Sequence, residues 1–135
     1  PWACATISNI PIDKYVGCLR DKDLMLLNID HDEVEEYIKK SGAKIIERKG
    51  ATFYAVAVSV CHICKCIFTG ADTTMTVSTM MHGEYGVDDV CLSSLCIVGK
   101  EGVGGKLIVP LTPEEEERFR QSADALRHVI SNVNL

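Results

Sequence analysis

Aromatic residues are scarce in this 135-residue chain, at 6%, and proline appears only four times. A polyproline linker or a Pro/Gly low-complexity segment is thereby excluded. Excess positive charge is also missing: 14 Lys and Arg stand against 19 Asp and Glu, a formal net charge of −5. With no long basic run, a partner held through a phosphate backbone is not expected. No apolar stretch approaches the ~20 residues that cross a bilayer as one helix. The opening Pro1-Trp2-Ala3-Cys4 has neither a basic leader nor an apolar run, so no secretory signal is expected and a cytoplasmic location is. No repeat or low-complexity tract appears. What is present is 47% hydrophobic and 24% charged, too apolar for disorder and enough for one domain with a core.

Cysteine is abundant, with seven residues: Cys4, Cys18, Cys61, Cys64, Cys66, Cys91 and Cys96. An odd number embedded in apolar surroundings fits free thiols in a reducing compartment better than a disulfide framework.

Periodicity gives an α+β fold. Residues 1–10 form a short run of apolar and small residues, and a turn is expected at Ile10-Pro11 because Pro11 discourages helix in the residue before it. The apolar run Leu24–Leu27 has no clear assignment. From Asp30 a helix is expected, with Asp32 as cap and Val34, Tyr37, Ile38, Ile45 and Ile46 at helical spacing. Gly50 punctuates it, and a second helical stretch runs from Thr52 to Phe68, either separate or continuous through a kink. Its apolar residues lie on most sides, which predicts burial between partners. Strands then follow at Thr74–Thr79, Val90–Val98 and Val103–Val109, joined by Gly-containing turns into an antiparallel meander. The last helix is announced by Thr112-Pro113-Glu114-Glu115, a capping box with proline at its first position. Phe119, Ala123, Leu126, Ile130 and Val133 give that helix a stripe to lay on the sheet.

Several patterns invite chemistry. In Cys61-His62-Ile63-Cys64-Lys65-Cys66, the first and second cysteines share a helical face and the third points away. A closed zinc site would therefore need further ligands from elsewhere. Small core residues on a buried helix are the simpler reading, and no metal is expected. His31 and His128 read as solvated helix ends, His62 sits within the cysteine stretch, and His82 has only Glu84 nearby as a carboxylate. None has the setting of a general base. Gly102-Val103-Gly104-Gly105 lacks the spacing of a phosphate cradle and leads into a strand.

Longer stretches carry a resemblance to a family. Lys49–Val56 (KGATFYAV), Thr76–Thr79 with Gly83–Val87, Val90–Gly99 with Gly102-Val103, Leu111–Glu116 and Gln121–Ala123 occur in the order and wording of the L-lactate dehydrogenases. Pro1-Trp2 and Ile10-Pro11-Ile12 resemble the segment directly after that family's His-Gly-Asp motif. The resemblance implies that residues 1–135 are the C-terminal, substrate domain of the lactate/malate dehydrogenase fold. The NAD-binding Rossmann half, the proton-transfer histidine with its aspartate and the two substrate arginines would all lie upstream of Pro1. No catalytic residue is then expected in this chain, and it should be inactive by itself. Two positions carry over. Thr52 matches the threonine that lines the pocket near the substrate carboxylate, and Val56 matches the apolar residue on which the nicotinamide ring rests. Four residues apart, both are expected on one helical side. The resemblance further implies pyruvate and L-lactate as substrates, NAD as cofactor and a homotetramer. Ala43, where many relatives carry tyrosine, and the cysteines at 61–66 depart from the family pattern. A malate or other 2-hydroxy acid dehydrogenase, and a non-catalytic binding or assembly module, are the alternatives. Val77-Ser78-Thr79 favours lactate.

Overall fold

A computed structural model describes residues 1–18 and 29–133. Leu24–Leu27 and the last two residues lie outside this range. The chain divides into two compact units, one of Thr6–Lys65 and one of Pro1–Ala5 with Cys66–Leu135.

The first unit opens with a hairpin of β1 (Thr6–Ile7) and β2 (Ile10–Pro11). Its tight turn falls at Ser8-Asn9, with φ of 52° and 65°. A two-residue loop matches the strand twist when both residues are left-handed, and asparagine tolerates that conformation well. The turn thus precedes Ile10-Pro11, where the sequence pattern set it; Pro11 ends the strand and leads into α1 (Ile12–Tyr15).

Helix α2 (His31–Lys49) is capped by Asp30, whose carboxylate accepts the N–H groups of Asp32 and Glu33 at 3.0 and 3.1 Å. Asp32, expected as the cap, is already inside the first turn, where its charge complements the helix dipole. Gly50 closes the helix at φ 80°, a left-handed conformation that glycine adopts without a Cβ penalty, and its N–H reaches the Ile46 carbonyl at 2.7 Å. The chain then turns by 116° into α3 (Tyr54–Thr69), so the pair is two helices and not one kinked rod. Helix α3 starts two residues later than expected, and Thr52 lies before it.

Burial on α3 corrects a second expectation. Only Cys66 is buried, while Val56, Val58 and Val60 are 55%, 70% and 52% exposed. The all-round apolar character is real, but the described residues do not cover it.

The second unit is the meander: β3 (Thr73–His82), β4 (Asp88–Gly99) and β5 (Gly102–Lys106), antiparallel in that order. Residues Thr73, Met75, Val77 and Thr79 alternate with exposed neighbours, the period-two pattern of a half-covered strand. Strand β5 stops at Lys106, short of the expected Val109. Helix α4 (Pro113–Ser131) has the expected capping box and proline. It lays Ala123, fully buried, against Met81, Val87 and Val90, with Tyr85, Leu92, Phe119 and Leu126 packed around them. Ile130 and Val133, the far end of the expected stripe, are about half exposed.

Candidate functional site

The two positions singled out from sequence lie on the link between α2 and α3 and on the first turn beyond it. Gly50 ends one helix, residues 51–53 run without regular structure, and the Ala57 N–H closes the first bond of α3 onto the Phe53 carbonyl at 2.9 Å. Thr52 is exposed on that link and Val56 is exposed on α3. Helical periodicity therefore does not relate the two, since Thr52 is not helical; the 116° turn of the link relates them. Beside them the Lys49 ammonium sits 5.3 Å from the centre of the Phe53 ring and 4.7 Å from that of Tyr54. Its attraction to the ring faces holds a cation next to the link. The arrangement joins a solvent-facing hydroxyl, a positive charge and an apolar wall. Such a surface can receive a small anion with an apolar body.

The other candidates do not converge. Along α3, Cys61 is exposed, Cys64 half-buried and Cys66 buried, so Cys61 is not the core residue expected of it. Among the described residues no group of three or more His, Cys, Asp or Glu side chains is placed to share a metal ion. His31 opens α2 with Nε2 3.9 Å from Asp13, His62 is exposed on α3, and His128 lies near the end of α4 beside Asn132.

In the second unit the structure shows polar ties that sequence did not suggest. Glu84 accepts from Lys106 at 2.8 Å and from the His82 N–H at 2.6 Å. Lys106 also donates to the Met80 carbonyl. The Lys106 bond, then the His82 N–H, hold the Glu84 carboxyl down at about 2. Glu84 was noted only as a neighbour of His82; its lysine is 22 residues away. Tyr85 adopts φ 54°, strained for a non-glycine residue. Its Oη accepts the Val109 N–H at 2.9 Å and donates to the Val109 carbonyl at 3.1 Å, while the ring meets Phe119 edge-on. Tyr85 and Phe119 border an apolar cleft of about 230 Å³ that Leu95, Val109 and Leu111 also line. Glu115 completes the capping box by accepting the Thr112 N–H at 3.0 Å, and it takes the Ala3 N–H at 3.2 Å on its other oxygen.

Comparison with known proteins agrees with this architecture. The family described as lactate/malate dehydrogenase, alpha/beta C-terminal domain, matches residues 1–134. An L-lactate dehydrogenase of Thermoanaerobacterium saccharolyticum is 41% identical over 136 residues, covering 99% of this chain and 42% of its own length. That of Acetivibrio thermocellus is 36% identical over 135 residues, with 99% and 41% covered. Among solved structures, an L-lactate dehydrogenase from Clostridium thermocellum superposes with a TM-score of 0.81 at 36% identity, over 99% of this chain and 42% of that one. A malate dehydrogenase from Aeropyrum pernix reaches 0.81 at 20% identity over 99% of this chain and 42% of its own, a likeness of fold. The chain thus spans about two fifths of the length of the relatives it matches.

Proposed function

The chain belongs to the lactate/malate dehydrogenase family as its α/β C-terminal domain, and from that premise we propose that it is the substrate domain of an NAD-dependent L-lactate dehydrogenase. The intact enzyme would interconvert pyruvate and L-lactate. The observation that carries the reading is identity of 36–41% to L-lactate dehydrogenases across 99% of the chain.

In this reading the cofactor supplies or accepts the hydride, and this chain supplies part of the surface on which the substrate and nicotinamide lie. Thr52 donates its hydroxyl hydrogen to a carboxylate oxygen of the substrate. A neutral donor there adds a bond without competing with the arginine that neutralises the carboxylate. Val56 presents an apolar wall to the nicotinamide, and an apolar wall favours the uncharged reduced ring over the cationic oxidised one. The exposure of Val56 fits a wall of this kind. Proton transfer and carbonyl polarisation are assigned to residues upstream of Pro1, together with the Rossmann half. We further place the enzyme in the cytoplasm as a homotetramer; the exposed apolar positions on α2 and α3 support burial against further protein.

A pyruvate and NADH assay on the complete gene product tests the reading. NADH oxidation with pyruvate and not with oxaloacetate is the expected outcome, and the reverse preference replaces lactate by malate. The 135 residues alone are expected to be silent with both, and turnover by them would overturn the assignment of the proton donor upstream.

A further inference from the structure

Lys49 is held in a way that leaves its charge unspent. It is the last residue of α2, and its ammonium meets two rings that lie beyond the turn at Gly50. The distances are 4.7 Å to the centre of the Tyr54 ring and 5.3 Å to that of Phe53, and the rings themselves sit 4.5 Å apart at a tilt of 57°. The ring faces and the negative end of the α2 dipole all favour a cation at this spot. Lys44 also meets a ring, but only that of Tyr37 and within its own helix. Lys39, Lys40 and Lys106 are held differently, each by a glutamate carboxylate. A carboxylate cancels the charge it holds, whereas a neutral ring does not. Among the described residues Lys49 makes no ion pair, so its positive charge is anchored without being neutralised. Thr52 directly precedes Phe53, which puts the hydroxyl beside one of the two rings that anchor the charge.

We propose that Lys49 is a further substrate-binding residue, whose ring-anchored charge draws the carboxylate of a small 2-keto or 2-hydroxy acid towards the Thr52 hydroxyl. The inference rests on the reading above, in which Thr52 meets that carboxylate. Anchoring matters because a lysine is otherwise a point charge on a flexible stem, spread over many rotamers. The carboxylate takes no part in the redox change, so it carries the same charge in the keto acid, the transition state and the hydroxy acid. Attraction to it is therefore uniform along the reaction, which lowers KM and leaves kcat as it is. Attraction between exposed charges is also screened by salt, and that separates Lys49 from a residue that acts by packing.

The test measures kcat and KM for pyruvate in the complete gene product, for wild type, Lys49→Met and Lys49→Arg. Salt is set at about 0.01 M and about 1 M, between which the screening length falls from about 30 to about 3 Å. Relative to wild type, Lys49→Met is expected to raise KM about three- to tenfold at low salt and less than about twofold at high salt, with kcat within about twofold at both. Lys49→Arg keeps the charge and stacks on the same rings, so it is expected to recover most of the lost KM. An unchanged KM for Lys49→Met at low salt overturns this inference alone. So does a rise that persists at high salt or that Lys49→Arg shares, since either gives Lys49 a packing role in the link. A preference for oxaloacetate changes the substrate of the reading but leaves this test in force, because oxaloacetate carries the same carboxylate. A wild-type product that turns over neither acid overturns the dehydrogenase reading and this inference with it.

Discussion

At the scale of single residues, Glu84 has the sharpest consequence. Lys106 and the His82 N–H stabilise its charged form and bring it from an ordinary 4.5 to about 2. A carboxyl depressed on folding contributes stability that is complete above the unfolded value and lost as pH falls through the folded one. The Tm gap between wild type and Glu84→Gln should therefore be steady above pH 4.5 and close progressively towards pH 2; a gap that widens on acidification would refute the pairing. Thr52 makes a second residue-scale prediction. In the role proposed for it, Thr52→Val in the complete enzyme would remove one neutral hydrogen bond to a charged ligand, which is worth about 1.5–3 kcal/mol. A fall in kcat/KM for pyruvate of about ten- to a hundredfold, at unchanged Tm, is the expected result of steady-state kinetics and thermal melts. Thr52 could be proposed as a site residue because its neighbours Lys49–Val56 read as a family phrase. The ties of Glu84 to Lys106, Tyr85 to Val109 and Glu115 to Ala3 were not legible, because each partner lies more than 20 residues away in sequence.

At the scale of elements, local signals set what forms and fail mainly at the ends. The capping box of α4 was readable letter by letter, since cap and partner are three residues apart. The start of α3 was not, since residues 51–53 contain nothing that forbids helix. Gly50 at φ 80° is what interrupts it. Replacing Gly50 with alanine forces a Cβ into the left-handed region, where an L-residue is disfavoured by roughly 1–2 kcal/mol. Urea unfolding should show a loss of that size, and a gain in stability would mean that the two helices can fuse. Strand β5 fell short of its expected end because Tyr85 Oη, and not a neighbouring strand, takes the Val109 N–H and carbonyl.

At the scale of the whole chain, apolar surface outweighs what the described residues cover. The fully buried cluster is small, while Tyr37, Ile38, Tyr54, Val58 and Phe68 are each more than 60% exposed. Large exposed apolar surfaces associate. The 135 residues in isolation should sediment above the 14.8 kDa of a monomer, increasingly so with concentration. Val58→Asp should shift the distribution towards monomer without changing the α-helical circular dichroism of the second unit, and a wild-type chain that stays monomeric at high concentration would contradict this.

The sequence by itself determined the α+β order of elements, the cap of α4, the meander and the family, because these rest on spacings of two to four residues and on words read in order. Tertiary structure alone decided which apolar residues are covered and which carboxylate serves which amide. Burial and long-range hydrogen bonds depend on what another part of the chain brings into contact. So Thr52 and Val56 could be proposed from their neighbours. The hydrogen bond from Ala3 to Glu115 appeared only once folding had closed 112 residues of chain onto one carboxylate.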